Sequence, residues 1–210
     1  MEDRKISQAE SLAIITEMID RTKSHSHLCN GSILLLWGYL SVAVALAVAI
    51  LLWLTNGHPA ANWLWFLIWI VGGTFSPVLA RRHRVRAGTK SYFDKVSSGV
   101  WSIVGYSAIV ITFVCLGLLL FGSYDCWGAM LFFAFGFVGF AEMVDGILLG
   151  VKPLIAGGAI GLLAGIVTLC CLAGGVVLSA WWAIPLFIVA FICMMIIPGH
   201  ILKANAKEEL

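Results

Sequence analysis

The chain has 210 residues, 61% of them hydrophobic and 11% charged, with a formal net charge of +2. Its mean hydropathy is +1.00. Soluble domains average roughly 45–50% apolar and about 25% charged residues, so the composition excludes an ordinary soluble enzyme, a disordered chain and a nucleic-acid-binding domain. What remains is an all-α polytopic membrane protein.

Residues 6–23 read as one short amphipathic cytoplasmic helix. Ser7-Gln8-Ala9-Glu10 has the form of a capping box, which satisfies free N–H groups at a helix start. Leu12, Ile14, Ile15, Met18 and Ile19 share one arc of about 160° at 100° per residue, with Glu10, Glu17 and Arg21 opposite. Acids and bases nearly balance here, which argues against a helix lying on anionic lipid. It favours packing beneath the bundle or against a protein partner. No signal peptide is expected, because the first apolar run is too long for one and follows a polar segment.

Six apolar runs follow, at 32–54, 62–80, 99–121, 127–150, 154–178 and 182–202. Each is close to the roughly 20 helical residues that a bilayer core of about 30 Å requires. None alternates with period two, and all are too long for barrel strands. The chain thus divides into a cytoplasmic helix (1–31), a six-helix bundle (32–202) and a cytoplasmic tail (203–210). The connections after runs one, three and five hold no Lys or Arg, so all 13 basic residues fall on the other side. The positive-inside rule then puts both termini in the cytoplasm. Trp53, Trp63, Trp65, Tyr124, Trp127, Trp181 and Trp182 cluster at the opposite ends, as an interfacial aromatic belt should.

Glu142 and Asp145 are the only acids inside the runs. Three residues apart on a helix, they share a face. They stand roughly 12 Å and about 7 Å from the inner end near Gly150, at 1.5 Å per residue. An unpaired carboxylate at that depth is costly, so each should face the bundle interior. Functional readings are a proton relay, a cation site or a contact to a substrate amine. The structural alternative is pairing with Lys152, Arg81 or Arg82.

Arg81, Arg82, Arg84 and Arg86 form a dense basic run with His83. It reads as a topogenic stop and a contact for anionic lipid headgroups; no basic domain surrounds it to suggest nucleic acid. Gly157, Gly161 and Gly165 lie one turn apart and mark a helix-packing face. Its partner is either internal, with the Gly146/Gly150 pair as candidate, or a second copy of the chain. A faint repeat relates Gly31…Gly38-Tyr39 to Gly99…Gly105-Tyr106, with chance similarity the favoured explanation. Of the six cysteines, Cys115, Cys170, Cys171 and Cys193 lie in apolar runs, and no C-x-x-C occurs. His83 and His200 have no metal-binding spacing, and no nucleophile–base order or phosphate loop is present. No catalytic residue, metal or cofactor is therefore expected.

Three stretches carry a resemblance: Glu10-Ser11-Leu12, Leu34-Leu35-Leu36-Trp37-Gly38-Tyr39 and Met194-Met195-Ile196-Ile197-Pro198-Gly199-His200-Ile201-Leu202. Together they resemble an uncharacterised family of small six-helix bacterial inner-membrane proteins, often encoded beside winged-helix regulators. The resemblance implies a bacterial inner membrane and a sensing or stress-related role, and assigns no catalytic residue. The expectation is a non-enzymatic membrane component of a sensing or regulatory system, with a protein partner on its cytoplasmic face. The alternative is a small transporter or channel-like protein with a cation or proton site at Glu142 and Asp145.

Overall fold

The computed structural model describes residues 8–87, 92–122 and 126–208, and side chains within 31–82, 95–122 and 126–205 together with Leu12 and Thr16. All regular structure among them is helical. Helix α1 spans Gln8–Leu54, and a 3₁₀ turn at Pro59–Trp65 leads into α2 (Phe66–Ala87). Then come α3 (Tyr92–Gly122), α4 (Trp127–Leu149), α5 (Lys152–Ala173) and α6 (Ala180–Phe191). A π-helical turn at Ile192–Ile196 joins α6 to α7 (Ile197–Glu208). Among the described residues, six stretches are long and apolar enough to cross a membrane: Gly31–Leu54, Pro59–Arg82, Lys95–Gly122, Trp127–Leu149, Lys152–Ala173 and Ala180–Asn205.

Two boundaries differ from the sequence reading. The helix expected over 6–23 and the first span are one uninterrupted helix, α1. Gly31 does not end it; its missing Cβ admits the Gly199 carbonyl, which would stand 3.0 Å from a methyl there. Of the amphipathic pattern, the Leu12 and Thr16 side chains are exposed, and the rest, with Ser7 of the capping box, lies outside the described residues. The fifth span ends at Ala173 rather than 178. There Gly175 adopts φ +68°, its N–H donates to the Leu172 carbonyl, and the Val176 N–H donates to that of Cys171. This pair of bonds is the Schellman arrangement, which closes a helix with a left-handed residue. Gly150 closes α4 in the same way, with φ +69° and the Val151 N–H on the Gly146 carbonyl. Gly150 is thus a terminator, and Gly146 alone of the suggested pair packs on α5, its absent Cβ lying 2.8 Å from the Ile155 nitrogen.

The π turn has a local cause. Pro198 cannot donate to the Met194 carbonyl, and its ring would crowd that oxygen. The ladder shifts one residue, so that the Ile197 N–H reaches the Ile192 carbonyl.

Glycines set the order of the helices. A Cβ on Gly158 would stand 2.4 Å from the Gly139 carbonyl oxygen, and one on Gly165 3.0 Å from the Gly136 nitrogen, so α4 and α5 touch backbone to backbone. Gly157 and Gly161 meet Cys193 and Met194 of the π turn, while Gly38 meets Met195 and Ile196 from the α1 side. Gly105, its counterpart in the faint repeat, has nothing within 4 Å, so the two glycines do different work. The second span packs on α1, where Gly72 seats the Trp37 ring; the third packs on α4. These two spans share no comparable interface with each other. Over an 18-residue apolar window, only 11% of the second span and 17% of the third are buried, against 50% of the fourth.

Adding a methyl at Gly158 forces the α4–α5 backbones apart. Gly158→Ala should lower stability by about 1–3 kcal/mol, the usual cost of overpacking, in thermal or denaturant unfolding of the micelle-bound protein. Gly105→Ala, facing open space, should be near neutral; equal effects would refute the close-approach account.

Candidate functional site

Helix α4 presents two adjacent stripes. Gly139 and Gly146 touch α5, while Val138 and Asp145 line a cavity. Glu142 lies three or four residues from all four, so it falls between the stripes. Both acids are buried: Glu142 is 0% exposed and Asp145 4%.

Their surroundings differ. Asp145 Oδ2 accepts two hydrogen bonds from α3, 2.7 Å from the Trp101 indole N–H and 3.1 Å from the Ser97 hydroxyl. Its Oδ1 has no partner, nor has either carboxyl oxygen of Glu142. The expected alternative of pairing with Lys152, Arg81 or Arg82 does not occur: Arg81, Arg82 and Lys152 are exposed, and neither acid has a basic partner among the described residues.

The cavity occupies about 2330 Å³, well above the roughly 300–1,000 Å³ of common small-molecule pockets. It runs between the poorly packed second and third spans, from Trp53 and His58 at the Trp-rich end to Lys95 and Ser97 at the basic end. Most of its wall is apolar and aromatic; polar groups line both ends, Asn56, His58 and Asn62 at the Trp-rich end and a second set toward the basic end. Besides Asp145 the second set includes Ser41, which is 1% exposed with an unpartnered hydroxyl, and Ser76, which accepts the Trp37 indole N–H at 2.8 Å.

Other singled-out residues do not join this site. Gly157, Gly161 and Gly165 are buried against the sixth span and α4, so that stripe is occupied within the chain. The Arg84, Arg86 and His83 side chains lie outside the described residues. His200 is hydrogen-bonded to Tyr39, 2.7 Å away on an exposed face, and no three metal-ligating side chains converge among the described residues. Trp53, Trp63 and Trp181 are exposed at the Trp-rich end, whereas Trp65 turns inward against Phe187 with ring centroids 5.1 Å apart.

Sequence reasoning missed Ser41, Ser97 and Trp101. The usable signal was spacing: Trp37/Ser41 and Ser97/Trp101 are both i, i+4 pairs, which share a helix face. Ser97 also fell outside the expected third span, which begins four residues earlier than 99, at Lys95.

No family model matches the chain, and neither does any curated protein or solved structure.

Trp101→Phe removes one donor from Asp145. Leaving a buried acceptor short of a partner should cost about 1–3 kcal/mol, read as a lower unfolding midpoint. Adding Asp145→Leu should recover part of that loss; strict additivity of the two effects would show that the bond contributes nothing.

Proposed function

We propose that the chain is a small, non-enzymatic transporter or channel-like protein of a bacterial cytoplasmic membrane, with a proton or cation site at Asp145 and Glu142. One observation carries this reading: Asp145 lines a wide cavity, and its buried Oδ1 has no hydrogen-bond or basic partner among the described residues. Asp145 is hydrogen-bonded through Oδ2 alone, and ionisable residues inside membrane spans mark ion and proton paths. Asp145 is the member of the pair that lines the cavity, and Glu142 the enclosed one, a helical turn toward the Trp-rich end. The one-sided distribution of the 13 basic residues supports an orientation with both termini in the cytoplasm. Asp145 then faces the cytoplasmic half of the membrane, and the exposed Arg81 and Arg82 meet anionic headgroups. The resemblance to small bacterial inner-membrane proteins supports the location.

A second reading, a sensing or regulatory component that contacts a cytoplasmic protein, is favoured by α1. Its helix begins at Gln8, 23 residues before the first apolar span at Gly31, and so offers an extended surface outside the bilayer. Removing residues 1–23 should leave the six spans folded and abolish co-purification of such a partner; an unchanged profile would count against it.

The transport reading predicts cation or proton flux in proteoliposomes that falls at least tenfold when Asp145→Asn and Glu142→Gln are combined, with helix content retained. Full flux in the double variant would overturn it.

A further inference from the structure

We infer that the cavity between the second and third spans takes an amphiphile whose head is an N–H-bearing ammonium and whose hydrocarbon tail lies between those spans. The inference rests on the carboxylate reading above and names its ligand class.

The head follows from the polar atoms. Asp145 Oδ2 is already supplied by Ser97 and Trp101, while Oδ1 is left without a donor. Ser41, on a different helix, also lines this cavity and holds a second buried oxygen without a partner. An acceptor of this kind asks for a donor, and an ammonium brings up to three with a compensating charge. A trimethylammonium brings charge but no N–H, so it would leave Oδ1 unsatisfied. Trp37 and Trp101 line the cavity with their indole N–H groups tied to Ser76 and Asp145. The rings are thus held in place, and indole faces attract cations.

The tail follows from the walls. The remaining surface is largely apolar, and the second and third spans share no extensive interface with each other among the described residues. Gly73 on one and Gly105 on the other both line the cavity, and a Cβ at either would meet nothing within 4 Å. A hydrocarbon chain can therefore enter sideways from the bilayer. Lys95, exposed at the basic end of the cavity, would also suit the phosphate of a lipid headgroup. The shared chemistry is the ammonium amphiphile, either a free long-chain amine or an aminophospholipid.

The test measures equilibrium binding of labelled dodecylammonium to the full chain in nanodiscs of phosphatidylcholine and phosphatidylglycerol, relative to empty discs. Saturable binding is expected, with dodecyltrimethylammonium and dodecanol competing at least tenfold more weakly. Asp145→Asn should weaken binding at least tenfold, and Gly73→Leu with Gly105→Leu should do the same by filling the gap. Competition by phosphatidylethanolamine added to the discs would assign the lipid source, and its absence the free amine. Equal competition by the amine, the trimethyl compound and the alcohol would overturn the inference; that comparison uses the unaltered protein and needs no variant to fold. Saturable, Asp145-dependent binding without flux would remove the transport reading and keep this one. Asp145-dependent flux of protons or inorganic cations with no amine binding would do the reverse.

Discussion

The direct contact of two helix backbones organises this molecule. In hydrocarbon, apolar side chains gain little by leaving lipid for protein, so helices associate through close van der Waals fit and small residues. Gly136, Gly139 and Gly146 on α4, and Gly158 and Gly165 on α5, let these helices approach until peptide groups touch. The sixth span closes on the same pair through Gly157 and Gly161, and α1 closes on the sixth span through Gly31, Gly38 and Gly199. Glycine is thereby spent on the third-hand chain α4–α5–sixth span–α1. The second and third spans, which pack mainly on α1 and α4 at its two ends, flank an open space.

The acids belong to that geometry. The stripe that brings α4 against α5 fixes the rotation of α4, and that rotation sends Asp145 to the cavity and Glu142 to the seam beside it. Asp145 then does two things with its two oxygens. One is taken up in attaching the start of α3 through Ser97 and Trp101. The other is buried without a partner. The seating of the third span and the unsatisfied oxygen are therefore properties of a single carboxyl group.

Much of this was legible in the residues themselves. Runs of apolar residues gave six spans, because crossing a bilayer demands length and hydrophobicity that few other structures need. The glycine spacing marked a packing face, and the two intramembrane acids stood out against an apolar background. Helix ends were harder. Gly146 and Gly150 look alike in sequence, yet one packs and the other terminates, a choice decided by backbone conformation. Residues 24–31 fall between the expected cytoplasmic helix and the first apolar run, but they include no proline and continue the helix. The cavity was not legible at all. It exists because two spans do not pack together, and no local pattern records a missing contact between distant segments.

The continuity of α1 has a mechanical consequence. Trp37 and Ser41 on this helix line the cavity, and the same rod runs without a joint back to Gln8. At 1.5 Å per residue, the stretch before Gly31 is roughly 35 Å long. A tilt of about 10° pivoting at Gly31 would sweep its far end through roughly 6 Å, on the same arithmetic. A hinge at that point would absorb such a tilt; an unbroken helix amplifies it. The orientation of this helix among the spans and the position of its far end are thus geometrically linked.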